Sequence, residues 1–117
     1  MSTPRHPTVA RRMRDARMKK LAQAGPLVAA SLVTQAVTCG RPQCRCAQGE
    51  KHLKHVLTFK RDGKTQTVYV PLDLLPEVRR WVAEHQRIKQ LLRDISDLSL
   101  DLIRSHVTHR KRLQGRR

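Results

Sequence analysis

Residues 1–25 carry a thin apolar stripe at helical spacing within a strongly basic segment. Thr8 is suited to cap this helix, and Gly25-Pro26 should end it after Ala24. The stripe consists of Val9, Met13, Ala16 and Leu21. Because so narrow a stripe buries little surface, we expect residues 1–25 to form a basic arm that becomes ordered when it binds a phosphate backbone.

Between residues 26 and 75 the pattern changes to short β-branched and alternating runs. Residues 31–38, 53–60 and 65–70 are predicted strands, and Asp62-Gly63 is a strong hairpin signal between the last two. Pro71 ends the last strand because proline has no amide hydrogen for the ladder. Residues 26–75 are therefore predicted to form a small antiparallel sheet of two or three strands.

From Pro76 onward the apolar residues recur at a three-four spacing, which predicts one long helix over residues 76–114 with a basic tail to residue 117. Asp73 is suited to cap it, and Trp81 and Val82 are expected to pack on the sheet as core. The later apolar residues exceed what a small sheet can cover, so we expect them to bind a protein partner or a second copy. These interface residues are Ile88, Leu91, Leu92, Ile95, Leu98 and Leu102. The alternative is that the helix folds back over its own domain; in both cases the fold class is α+β.

All three cysteines fall within one short segment, and a histidine follows closely. Thiolate and imidazole ligands in a tetrahedral set are typical of structural zinc, and the turns at Gly40 and Gly49 allow the chain to fold back around one ion. The predicted ligands are Cys39, Cys44, Cys46 and His52. His55 is the alternative fourth ligand, although it should lie inside the following strand. We expect this zinc site to clip one end of the sheet.

The same segment argues against catalysis. A catalytic zinc needs an open coordination position and a general base nearby, and Glu50 is the only carboxylate close in sequence. Nucleases and transposases need clustered carboxylates for their metal ions, whereas six of the nine acidic residues lie in the segment 71–105. We therefore expect a protein that is not an enzyme.

The net charge of +16 arises from 25 basic and 9 acidic residues, which is typical of a protein that binds a polyanion. Residues 71–105 are neutral, so the whole excess lies in the arm, the sheet segment and the tail. The predicted nucleic-acid contacts are Arg11, Arg12, Arg14, Arg17, Lys19, Lys20, Arg41, Arg45, Lys51, Lys54, Lys60, Arg61, Lys64, Arg110, Lys111 and Arg112.

The run CGRPQCRCAQGEKH, followed by KTQTVYVP and PEVRRWVAEHQRIKQLL, resembles a widespread prokaryotic family of small basic proteins. That family has a C-G-[K/R]-P-x-C-x-C-x-x-G motif, a Y-V-P segment and a Trp-bearing helix, and is often found beside transposase-type genes. The resemblance covers residues 31–102 and places the motif's histidine on His52. This chain departs from the family at Lys54-His55-Val56, where aromatics are usual, and at Gln66, where a basic residue is usual.

These observations favour a zinc-stapled nucleic-acid-binding accessory module, with DNA as the expected ligand in a mobile-element or DNA-processing complex. RNA is the alternative ligand, although the scarcity of aromatic residues disfavours single-strand stacking. A second class is a protein–protein adaptor or ribonucleoprotein scaffold. No transmembrane-length apolar run or signal peptide is evident, so we expect a cytoplasmic protein, associated with the nucleoid if it binds DNA.

Overall fold

The structure is a computed structural model that describes residues 4–38, Gly40, Gln43, Gly49 and 52–115. It contains helix α1 (Pro7–Ala22), strands β1 (Ser31–Val37), β2 (His52–Arg61) and β3 (Lys64–Tyr69), a 3-10 turn (Leu72–Leu74) and helix α2 (Leu75–Gly115). The predicted α+β class, the small antiparallel sheet and the long C-terminal helix are confirmed. Across the described parts of the chain, no helix is both long and apolar enough to cross a membrane.

The sheet is antiparallel, with β2 between β1 and β3. Leu57 lies opposite Leu32 on one side and Val68 on the other. Arg61 pairs with Lys64, so only Asp62 and Gly63 form the turn between β2 and β3. Their φ angles of 54° and 77° are both left-handed, as a two-residue type I′ hairpin requires. This explains why Asp-Gly predicted the hairpin correctly.

The core of the sheet unit, Pro26–His85, lies between one sheet face and the start of α2. Its buried residues are Ala30, Leu57, Val70, Leu75 and Val78, and Trp81, Val82 and Phe59 pack against them. The amide of Val28 also donates a hydrogen bond to the carbonyl of Trp81, at 3.2 Å. The structure therefore places Trp81 and Val82 in the core, as expected. The unit continues to His85, beyond the boundary predicted at residue 75, because the first turns of α2 supply part of this core.

The second unit joins α1, through Gly25, to the part of α2 that begins at Gln86. Ala10 of α1 is completely buried, and Leu91 and Leu98 of α2 are buried as well. Arg5, just before α1, pairs with Asp101, whereas Arg17, near its end, pairs with Asp94. The order of these pairs is reversed along the two helices, so α1 runs antiparallel to α2.

Two details of α1 differ from the prediction. The helix begins at Pro7, and its cap is His6, whose Nδ1 accepts a hydrogen bond from the amide of Thr8 at 3.2 Å. The structure shows Pro7–Ala22 as a helix in one unit with the later part of α2, and the expectation that the arm gains order on binding a polyanion stays a prediction. Ala10 is completely buried, and the pairs of Arg5 with Asp101 and Arg17 with Asp94 connect this segment to α2.

Candidate metal site and nucleic-acid surfaces

The β1–β2 connection carries the predicted zinc ligands. Val37 pairs with His52 as the last rung of the ladder, so the sheet holds together the two ends of the segment 38–51. Gly40 and Gly49 within it have φ angles of 76° and 116°, which only glycine adopts readily. Cys39, Cys44 and Cys46 lie outside the described residues, and the remaining described residues contain no group of three or more metal-ligating side chains.

The structure distinguishes the two candidate histidine ligands by their places in the sheet. His52 is the first residue of β2 and lies directly opposite Val37 on β1. Val37 in turn precedes Cys39 by two residues in the sequence. His55 lies within β2, where its Nδ1 is 3.0 Å from the hydroxyl of Thr34 on β1. That contact occupies one ring nitrogen of His55 in the sheet. His52 at the end of the ladder stays the predicted fourth ligand, and His55 within the sheet stays the alternative.

The predicted basic residues of α1 divide into two groups. Arg11, Arg12, Lys19 and Lys20 are exposed. Arg17 is partly buried, and its Nε lies 3.8 Å from a carboxylate oxygen of Asp94. The Nε of Arg14 is buried without a hydrogen-bond partner in the described part of the chain. Arg17 therefore contributes to the contact between the two helices, Arg14 is partly buried, and the exposed group is the one available to phosphates.

The predicted basic residues of the sheet unit lie on both sides of the hairpin. Lys54 and Lys60 are each three residues from the buried Leu57 along β2, so they lie on the opposite face of the sheet, and both are exposed. Arg61 and Lys64 are opposite each other at the turn, and the Arg61 guanidinium lies 5.2 Å from the centre of the Phe59 ring. This cation–π contact restrains Arg61 while it remains exposed. The other predicted contacts in this unit, Arg41, Arg45 and Lys51, lie outside the described residues.

The C-terminal basic residues Arg110, Lys111 and Arg112 are exposed on the last turns of α2. Their positive charge also suits the negative end of the helix dipole. The helix continues through Leu113, so these side chains are displayed on regular backbone and point in different directions around it.

Sequence reasoning placed the acidic residues of α2 on one flank but did not predict that two of them pair with arginines of the same unit. A guanidinium nitrogen of Arg5 lies 2.7 Å from one carboxylate oxygen of Asp101, and a guanidinium nitrogen of Arg104 lies 3.8 Å from the other oxygen. Asp101 is only 9% exposed. Asp94 pairs with Arg17, so two carboxylates of this segment are engaged by basic groups of the same unit. The seven-residue separation of Asp94 and Asp101 was the available signal, since it places both on one helix face.

The predicted interface residues of α2 are divided between inward and outward positions. Leu91 and Leu98 are buried within the chain itself, so they serve internal packing. Ile88, Ile95 and Leu102 are partly buried, and Leu92 is 53% exposed. The interface stays a prediction for the exposed positions. Leu100, Ile103 and Val107 are also exposed and follow a three-four spacing on the side of Leu92, away from Leu91 and Leu98.

The comparisons with known proteins give a family without a function. The family described as Domain of unknown function (DUF6788) matches residues 8–80, which include α1 from its second residue, the sheet and the start of α2. No curated protein and no solved structure matches the chain.

Proposed function

The chain belongs to this family, and we propose that it is a nucleic-acid-binding accessory module, stapled by a structural zinc, that holds its ligand chiefly through phosphate contacts. The observation that carries the proposal is that acidic side chains of α2 form ion pairs within the chain, while basic side chains of α1 stay exposed. Asp94 and Asp101 pair with arginines inside the helix pair, whereas Arg11, Arg12, Lys19 and Lys20 remain exposed on α1.

This arrangement changes what a polyanion would meet. A continuous acidic flank on α2 would repel phosphates, but pairing with arginine offsets the charge of these carboxylates locally. The exposed lysines and arginines of α1, the hairpin and the end of α2 outnumber the acidic residues among them, which are Asp15 on α1 and Asp62 in the hairpin turn. Such surfaces bind phosphate backbones by releasing condensed counterions.

The zinc staple is supported by the register of the sheet. The β1–β2 ladder brings Val37 and His52 together, and the three cysteines all lie between these two residues in sequence. Zinc binding there would contribute directly to folding free energy, which suits a chain with a small core. The ion would hold the connection and its basic residues, Arg41 and Arg45, against the end of the sheet.

DNA in a mobile-element or DNA-processing complex is the ligand that we favour over RNA. The tyrosine of the sheet, Tyr69, is 60% exposed, but it is the only tyrosine in the chain. Single-strand binders generally stack successive bases on several aromatic side chains. A duplex held by its phosphates needs no such series.

A protein–protein adaptor remains the second candidate function because of one observation on α2. Leu92, Leu100, Ile103 and Val107 form an exposed apolar stripe on the side of the helix away from the buried Leu91 and Leu98. An apolar stripe of this kind is suited to a partner helix or a second copy. The two functions are compatible, since the stripe and the basic residues are different side chains.

The test is the salt dependence of binding to duplex DNA and to duplex RNA. For the intact chain we expect a plot of log affinity against log salt with a slope of about −4 or steeper. Changing Arg12 and Lys19 to glutamine should reduce the magnitude of that slope by up to about 2, since each lost phosphate contact is worth about 0.9 on B-DNA. All sequences should weaken alike.

The matched control changes Arg79 and Arg80 to glutamine, which removes the same charge from exposed positions outside the proposed contacts. This variant should retain nearly the full slope. A salt-independent affinity, or equal loss in both variants, would contradict the proposed surface. Retention of a defined protein partner after nuclease treatment, with no nucleic-acid affinity, would establish the adaptor instead.

A further inference from the structure

The first turn of α1 and the last turns of α2 enclose a cleft of about 530 Å³ inside the helix-pair unit. That volume lies in the range of small-molecule sites. The polar side chains lining it are His6, Arg11, Ser105, His106, Thr108, His109 and Arg112. Sequence reasoning assigned Arg11 and Arg112 to separate segments and gave the histidines no role.

The cleft is lined by polar side chains on the face of α2 that carries buried leucines earlier in the helix. Leu91 and Leu98 are seven residues apart on the buried face of α2, and the next position in that series is Ser105. His109 and Arg112 follow at helical spacing on the same side. A hydroxyl, an imidazole and a guanidinium therefore occupy positions where leucines would have continued the contact with α1.

The electrostatics of the cleft favour an anion. None of the described residues that line it is acidic, and Asp101, the carboxylate one turn earlier on α2, is engaged by Arg5 and Arg104. The first turn of α1 also has no acidic residue to offset the positive end of its dipole. A metal cation would be repelled by the two guanidinium groups.

The cleft is lined by donor groups of the kinds that bind oxyanions. Nδ1 of His6 accepts a hydrogen bond from the amide of Thr8, so the ring's other nitrogen is the one that carries hydrogen. Arg11 and Arg112 contribute one guanidinium from each helix, and guanidinium forks bind phosphate oxygens in pairs. Ser105 adds a hydroxyl donor.

We propose that this cleft is a phosphate-binding site shared by α1 and α2, taking either a backbone phosphodiester or a terminal phosphomonoester of the nucleic acid; the nucleic-acid source rests on the function proposed above. Binding would engage Arg11 and Arg112 together, so the phosphate would also hold the two helices in their antiparallel arrangement.

The experiment compares the full chain with an Arg11→Gln/Arg112→Gln variant, using Arg79→Gln/Arg80→Gln as the charge-matched control. Inorganic phosphate, titrated against chloride at equal ionic strength, should shift the backbone amide resonances of Ser105 and His109 in the intact chain and in the control. The cleft variant should lose these shifts while its sheet resonances stay unchanged. Phosphate shifts that are absent, or that persist in the cleft variant, would overturn the proposal.

Two duplexes that differ only in a 5′-phosphate or a 5′-hydroxyl distinguish the sources. A terminal site predicts tighter binding of the phosphorylated duplex and loss of that preference in the cleft variant. A backbone site predicts equal affinity for both duplexes and about tenfold weaker binding of both by the variant. If neither duplex binds while inorganic phosphate still does, the proposed nucleic-acid function fails and the proposed phosphate site is retained. If duplex binding is strong and the cleft variant binds as tightly as the control, the cleft proposal fails.

Discussion

The pair between Arg5 and Asp101 should be the most important single ionic contact of the helix pair. The closest atoms are 2.7 Å apart, the Asp101 side chain is 13% exposed, and the Arg5 side chain is 51% exposed. Hydrogen bonds to charged groups contribute about 1.5–3 kcal/mol, and a buried charge that loses its partner adds a desolvation cost. The second arginine near Asp101, Arg104, lies at 3.8 Å and compensates only in part.

The two halves of this pair should therefore respond unequally. Arg5→Gln leaves a carboxylate in a buried position, and we expect a loss of about 2 kcal/mol in the free energy of unfolding. Asp101→Asn leaves a guanidinium that water can reach, and should cost about 1 kcal/mol. For a chain of this size, the first change should lower Tm by about 8 °C, since 1 kcal/mol corresponds to about 4 °C.

Arg17 and Asp94 provide the internal comparison. Their atoms are 3.8 Å apart and both side chains are about one-third exposed, so Arg17→Gln should cost less than about 1 kcal/mol. Denaturant unfolding of the single and double variants gives the coupling energy of each pair. We expect about 1–2 kcal/mol for Arg5 with Asp101 and less than about 0.5 kcal/mol for Arg17 with Asp94. Equal couplings, or a smaller loss for Arg5→Gln than for Arg17→Gln, would refute the reasoning.

Four further changes test other parts of the fold. Cys46→Ser should release about one zinc per chain, measured by metal analysis, and destabilise the sheet, because structural zinc is bound through all four of its ligands; a metal-free chain that stays folded in chelator would contradict the site. Leu57→Ala should cost about 2–5 kcal/mol in denaturant unfolding because Leu57 is 7% exposed in the sheet core. Gly63→Ala should cost about 1 kcal/mol because a side chain is strained at a φ of 77°; an unchanged unfolding midpoint would argue against the hairpin geometry. Leu92→Asp should abolish self-association or partner binding in sedimentation experiments without unfolding the chain, whereas Leu91→Asp, at the adjacent buried position, should unfold the helix pair.

The candidate ligands of the metal site follow from the sequence alone, and the sheet adds the positions of the two histidines. Cysteine and histidine spacing selected the ligands, but it left His52 and His55 both open. The strand register places His52 opposite Val37, and the Thr34 contact holds His55 within the sheet. Register depends on the pairing of two strands, which the spacing of ligands does not specify.

The sequence by itself determined the elements whose causes are local. Asp62-Gly63 predicts its turn because both positions favour left-handed φ, and the three-four spacing after Pro76 predicts α2 because a helix places such residues on one face. Only the tertiary structure decided that α1 covers the later part of α2. Arg5 and Asp101 are 96 residues apart, and the same apolar and charged pattern would serve equally well against a partner or against the chain's own helix. The choice depends on which complementary surfaces meet in three dimensions, and the polar cleft at the end of the helix pair exists only once they have met.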